Sequence, residues 1–168
     1  MWRRRLSPKE QMQKRLNSKR NRYLFLLLFF IIAAVLFIFY PTDEKRIKRV
    51  IAGSEEALLK KDVDGLFEYI SYNYRDDYGS TYLILKKRMQ IEFKRLNDIE
   101  IEKNLLRITV QEQSAEAELN VRVIASEGAS REYIIGDAVN WQRIKVYFEK
   151  SHYKWQIIKV AGLFGHDS

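Results

Sequence analysis

Apolar and polar positions are arranged along the chain in three ways, and each predicts a different element. From Tyr23 to Tyr40 there is no alternation at all: YLFLLLFFIIAAVLFIFY carries no charged or strongly polar side chain. As a helix rising 1.5 Å per residue this run spans about 27 Å, close to the hydrocarbon thickness of a bilayer. Tyr23 and Tyr40 bracket it, which suits aromatic side chains at the two membrane–water interfaces. A cleavable leader has a shorter apolar stretch ending in small residues, whereas this run exits through Ile38-Phe39-Tyr40-Pro41. The pattern predicts one uncleaved transmembrane helix over 23–40.

After Pro41 the period becomes helical. Ile47, Val50, Ile51, Ser54 and Leu58 recur on one face, predicting an amphipathic helix from Asp43 to Lys61 with Thr42 or Asp43 as its cap. Asp62 caps a short second helix over 63–70, with Val63, Leu66, Phe67 and Ile70 inward. A polar and aromatic connector follows, and Ser80 is the expected cap of a third helix reaching about Asn97, with Tyr82, Leu85, Met89, Phe93 and Leu96 inside.

Beyond Asn97-Asp98 the period falls to two. Ile99 and Ile101 alternate, and then the phase slips so that Leu106, Ile108 and Val110 share a face. The slip around Asn104-Leu105 predicts a bulge or bend in a long strand. Ala115, Ala117, Leu119, Val121 and Val123 alternate with Glu116, Glu118, Asn120 and Arg122, the signature of a half-buried strand. Ser126 to Ser130 reads as a loop, and 131–140 shows no clear period. Two more strands are predicted over 141–150 and 153–164, turning at Ser151-His152. Three helices followed by four antiparallel strands make a segregated α+β domain, its helices covering one face of a bent sheet.

Charge changes the picture by its location. The chain has a formal net charge of +8, yet its first 22 residues hold nine basic side chains and only Glu10 as an acid. The remainder is neutral, so the domain has no electrostatic footprint for nucleic acid. Basic residues before the run outnumber Lys45, Arg46, Lys48 and Arg49 after it, which directs the N-terminus to the cytoplasm. Ser7-Pro8-Lys9-Glu10 forms a capping box, so a helix is expected to start in this tail. The expected organisation is a basic cytoplasmic tail over 1–22, a span over 23–40, a periplasmic or extracellular domain over 43–164, and a short tail over 165–168. The chain contains no cysteine, which excludes disulfides, thiolate metal sites and a cysteine nucleophile.

Leu58-Leu59-Lys60-Lys61-Asp62-Val63-Asp64-Gly65-Leu66, then Ile70-Ser71 and Tyr74-Arg75-Asp76-Asp77-Tyr78-Gly79, resemble the opening helices of the nuclear transport factor 2-like superfamily. The closing hairpin with Lys154-Trp155-Gln156-Ile157-Ile158 is similar to the last strands of that group, and the resemblance covers 44–164. It implies a cystatin-like cone, a cavity between sheet and helices, and dimerisation through the sheet face. It does not imply one function, because the fold hosts enzymes, dimerisation modules and secretion scaffolds. The order of basic tail, single span and domain is also similar to the inner-membrane scaffold subunits of type IV secretion systems.

Enzymes of this superfamily work with a carboxylate, a tyrosine or a His–Asp pair inside the cone, which makes Asp76, Asp77 and Tyr74 the catalytic candidates, with Asp137 as a further carboxylate. The structural reading gives Tyr74 to packing and the aspartates to bracing the third helix. His152 in a turn and His166 in the C-terminal tail are poorly placed for a His–Asp mechanism. No motif for a metal or other cofactor occurs; Asp62-Val63-Asp64-Gly65 lacks the ligand positions of a calcium loop. Tyr72, Tyr74, Tyr78, Trp141 and Trp155 are the candidates for a ligand cavity or partner surface, with Trp141 and Trp155 expected on neighbouring strands. Together these features favour a non-catalytic, membrane-anchored binding or scaffold module that engages the bilayer, a protein partner in the envelope, or a second copy of itself. A cavity enzyme of the ketosteroid-isomerase or polyketide-cyclase type and an apolar-ligand carrier remain as alternatives.

Overall fold

The computed structural model describes residues 27–32, 42–152 and 154–163. The chain divides into two compact units, Met1–Pro41 and Thr42–Ser168. In the first, residues 27–32 are helical, and each of their six apolar side chains is at least half exposed. Among the described residues no helix is long and apolar enough to cross a membrane. Most of the expected span, with Tyr23 and Tyr40, lies outside the described residues, as do the basic tail, its Ser7 capping box and the C-terminal segment with His166.

The second unit begins with α1 (Asp43–Leu59), α2 (Val63–Phe67) and α3 (Tyr82–Arg95). Thr42 caps α1 through the Lys45 N–H, and Asp62 caps α2 through the Gly65 N–H at 2.9 Å. Lys61 turns the chain between them in the left-handed region at φ 55°, and its ammonium donates to the Leu96 and Asn97 carbonyls at the end of α3. Gly53 lets the Tyr69 ring lie against α1, since a Cβ there would stand 2.3 Å from the tyrosine hydroxyl. Two expectations need correction. The second helix stops at Phe67, because Ile70 and Ser71 leave it to pair with the last strand. The third is capped at Thr81 with no side-chain bond, because Ser80 is buried and its hydroxyl accepts from Arg88 at 2.9 Å.

The sheet is antiparallel and has five strands rather than four: β1 (Asp98–Gln111), β2 (Ser114–Glu127), β3 (Ser130–Ile135), β4 (Gln142–Ser151) and β5 (Lys154–Ala161). Their order is β1-β2-β4-β5, with β3 on the same edge of β2 as β4. Residues 114–121 of β2 pair with β4, and residues 123–127 pair with β3. β3 escaped the pattern because five of its six residues are exposed, leaving no buried face to impose a period of two. Register shifts at Leu105/Arg107, Val123/Ile124 and Tyr147/Phe148 bend the long strands. The first is the expected slip, with one change of residue. Leu105 packs against the core and Leu106, the extra residue of the bulge, is exposed.

The core fills the space between helices and sheet. Ala115, Ala117, Leu119 and Val121 of β2, with Ile144, Val146 and Phe148 of β4, meet Ile47 and Val50 of α1, Leu66 and Phe67 of α2, and Phe93 of α3. Burial of these side chains at about 25 cal/mol per Å² is what holds a cysteine-free domain of this size together. The opposite face of the sheet is a lattice of charges. Glu118 lies between Arg107 and Lys145, while Arg122 is bonded to Glu102.

Candidate functional site

The sequence pointed first to the connector between α2 and α3. It runs along β5, with the Ser71 N–H donating to Ile157 at 2.9 Å and the Arg75 N–H to Ile158 at 3.0 Å. This pairing sends Tyr74 inward, where only 3% of it stays exposed. Its hydroxyl lies 3.5 Å from Asp76 Oδ2. Burial, and then the negative charge of Asp76, push the Tyr74 phenol well above its ordinary value of 10.0, so it stays protonated. Asp76 is half-buried, and its other oxygen accepts the N–H groups of Tyr78 at 2.9 Å and Ser80 at 2.7 Å. That carboxylate closes the turn leading into α3. Asp77 is exposed and paired with Lys159 at 2.6 Å.

The aromatic candidates are dispersed. Tyr72 is 83% exposed and rests on Tyr82, with ring centroids 4.5 Å apart. Tyr78 is exposed at the tip of the Asp76 turn. Trp155 is buried, and its Nε1 donates to Asp43 at 3.0 Å. The Lys150 ammonium donates to the other oxygen of Asp43 at 2.7 Å. The bond from Lys150, and then that from Trp155, hold Asp43 below its ordinary carboxylate value. Trp141 is not on a strand beside Trp155 as expected. It precedes β4, whose far end carries Lys150 opposite Trp155.

Trp141 belongs to a loop that the sequence left unassigned. After β3, Gly136 turns at φ 71°, where a Cβ would meet the Asn140 carbonyl at 2.9 Å. The Asp137 carboxylate then accepts the backbone N–H groups of Val139 and Asn140, each at 2.7 Å, and the Asn140 side-chain amide at 3.0 Å. The Asn140 side chain, and then these N–H groups, pull Asp137 below its ordinary value. This carboxylate, one of the catalytic candidates, is therefore an exposed turn-former. Arg122 supports the loop from β2: it bonds Glu102 at 2.8 Å and the Ala138 carbonyl at 3.1 Å, and its guanidinium lies 4.4 Å from the Trp141 ring centroid.

The result is a braced rim that presents apolar surface. Val139 is 82% exposed and Trp141 41%, and Ile134 is exposed beside them. Ile134 and Trp141 border an open cleft of about 350 Å³ that also meets Gly136, Asp137, Gln142 and Leu163. An exposed tryptophan stacked on arginine supplies rigid contact area at little entropic cost, the composition that dominates protein-binding hot spots. The signals for it in the chain are the turn formers Gly136-Asp137 and Asn140 on either side of Val139. α3 exposes a second apolar stripe, Ile84 and Ile91 two turns apart, with Leu83 beside them. Among the described residues no cluster of His, Asp and Glu could hold a metal ion.

No protein-family model matches this chain, and no curated protein matches it in sequence. Solved structures do share its fold. A member of the nuclear transport factor 2-like family from Streptomyces avermitilis superposes with a TM-score of 0.59 at 10% identity, over 71% of this chain and 93% of its own. A ketosteroid isomerase-like protein from Erwinia carotovora atroseptica gives 0.57 at 8%, over 71% and 94%. A protein of unknown function with a cystatin-like fold from Nostoc punctiforme gives 0.54 at 18%, over 70% and 87%. Bd1075 of Bdellovibrio bacteriovorus gives 0.56 at 11%, and there the chain spans 38% of a longer protein. At these identities the likeness is one of fold, and the α+β domain has the nuclear transport factor 2-like, cystatin-like architecture.

Proposed function

We propose that this nuclear transport factor 2-like domain is a non-catalytic binding module, tethered to a membrane by the apolar run over 23–40 and held outside the cytoplasm. The observation that carries the reading is the rim: an exposed Trp141 stacked on Arg122 and flanked by Val139, on a loop whose backbone is fixed by Asp137. Apolar surface held this rigidly is suited to a protein partner or a second copy. The candidate catalytic groups have structural duties instead. Asp76 and Asp137 close turns, Asp77 pairs with Lys159, and Tyr74, Phe148 and Trp155 are packed in the core. The tether rests on the charge-free run, the excess of basic residues before it, and the exposure of all six apolar side chains over 27–32.

Site-specific photo-crosslinking in cells tests the binding reading, with benzoylphenylalanine at position 139 and, as a control, at position 113. It is paired with light scattering and native mass spectrometry of residues 42–168. Adducts at 139 that are absent at 113, or a dimer lost in Trp141→Ala, are expected. A strict monomer with no adduct at 139, carrying a co-purified apolar small molecule, overturns the reading. That result transfers attention to Tyr74 and Asp76, whose 3.5 Å approach is what favours a cavity enzyme as the second reading.

A further inference from the structure

Among the described residues Tyr72 is the most exposed tyrosine, at 83%, yet its backbone is pinned on both sides. Before it, the buried Ser71 donates its N–H to the Ile157 carbonyl at 2.9 Å and its hydroxyl to Glu149. After it, the Asn73 N–H donates to the Ser71 hydroxyl at 3.0 Å, and the Asn73 amide donates to Glu149 at 3.1 Å. The ring is thereby laid on Tyr82, the first residue of α3, with centroids 4.5 Å apart and planes inclined by 37°. Tyr82 is held in turn by Phe67, which meets it edge-on at 5.0 Å. Lys86 lies over that Phe67 ring and pairs with Asp64 at 2.8 Å. Burial, and then Tyr72 beside it, raise the Tyr82 phenol above its ordinary value of 10.0, so it stays protonated at neutral pH. Among the described residues this is the only ring contact that joins two phenols.

We propose that Tyr72 and Tyr82 form an oxidative coupling site, at which a peroxidase using hydrogen peroxide joins the two rings as dityrosine. Each phenol gives up one electron and its hydroxyl proton. The two phenoxyl radicals then join through ring carbons ortho to the oxygens. The two ortho hydrogens move as protons to the oxygens, which restores both phenols. Hydrogen peroxide takes up the two electrons and two protons and leaves as two waters. Tyr72 is the point of entry because its ring is open to solution, and Tyr82 is the trap because it is already in contact. Two rings held together correspond to an effective concentration in the millimolar range, roughly a thousandfold above a second molecule at about 1 µM. A radical on Tyr72 therefore meets Tyr82 before it meets another chain. The product closes a covalent loop around the connector, tying Tyr74 and the Asp76 turn to the start of α3.

The test treats the full chain in detergent, at about 1 µM, with a haem peroxidase and hydrogen peroxide. The expected product is a monomer lighter by two hydrogens and fluorescent as dityrosine. Its tryptic digest should join residues 62–75 to residues 76–86, with fragmentation placing the bond between positions 72 and 82. Diluting the chain about tenfold should leave the yield per chain unchanged, as befits coupling within one molecule. Tyr72→Phe, at an exposed position, should abolish the product. Tyr78→Phe removes another tyrosine from the same tryptic peptide and should leave it. A product that survives in Tyr72→Phe, or a yield that falls in proportion to dilution, overturns the proposal. So does oxidation that gives only dimers between chains, or no dityrosine at all.

Discussion

Trp141 and Trp155 flank the two ends of one strand and have opposite fates. Trp155 lies opposite Lys150 at the end of β4, 2% exposed, with its indole N–H on Asp43. Trp141 precedes the start of β4 and lies open against Arg122. Both stand beside alternating residues, so strand periodicity does not distinguish them. What separates them is the chain that closes over each. The first turn of α1 and the Asp43 carboxylate cover Trp155. Trp141 meets only the Arg122 guanidinium and the open cleft beside its own loop, and 41% of it stays exposed. A large aromatic residue is core where a distant element supplies both cover and an acceptor, and surface where neither arrives.

Mutations can break that contrast, beginning with the largest expected effect. Trp155→Ala opens a cavity and removes one of the two side-chain bonds to Asp43, so it should cost about 3–5 kcal/mol. Thermal unfolding of residues 42–168 would register that as a drop on the order of 10 °C or more. Asp43→Ala leaves the buried indole N–H without an acceptor and should cost about 1–3 kcal/mol by urea titration. This contribution has a defined pH window. Asp43 titrates below its ordinary value of 3.8 in the folded chain. Its stabilisation is therefore complete above that pH and is lost as the pH falls through the folded value. The gap between wild type and Asp43→Asn should narrow in acid below 3.8; a gap that widens there contradicts the two bonds to Asp43.

Smaller effects sharpen the comparison. Asp76→Ala removes the acceptor of the Tyr78 and Ser80 N–H groups and should cost about 1–2 kcal/mol, leaving crosslinking at position 139 intact. Trp141→Ala should change stability by about 0.5 kcal/mol or less while removing that crosslink. Trp141→Phe should also remove the part of the emission of residues 42–168 that acrylamide quenches, leaving the shielded Trp155. Persistent quenching in this variant would mean that Trp155 is not covered as described.

Most of the architecture was legible because burial imposes a period. Ala115 to Val123 alternates because one face of β2 meets the core and the other meets charge partners, and the slip at Leu105 showed because a bulge interrupts that alternation. The limits have the same physical origin. Residues 130–134 of β3 are exposed and only Ile135 packs against the core, so Tyr133-Ile134-Ile135 offered β-favouring residues without a pattern. Ser80 looked like a cap because serine usually is one. Only the fold reveals that Arg88 reaches its hydroxyl from two turns along α3. The connector was noticed for its aspartates, of which Asp76 has local partners, whereas the rim depends on Arg122 from another strand. Local sequence reports turns well, and it does not report what a side chain from elsewhere will support.

β2 hands its second edge from β4 to β3 between Val121 and Val123, and the rim loop rises from that handover. Amides in the middle of a doubly paired strand ordinarily exchange with solvent only in global unfolding. At the handover, protection depends on how tightly two short ladders and one loop close against each other. A molecule bound to Trp141 would therefore leave an imprint several residues away, as slowed deuterium uptake at the β2 positions beneath it. The centre of the sheet would report what occupies its edge.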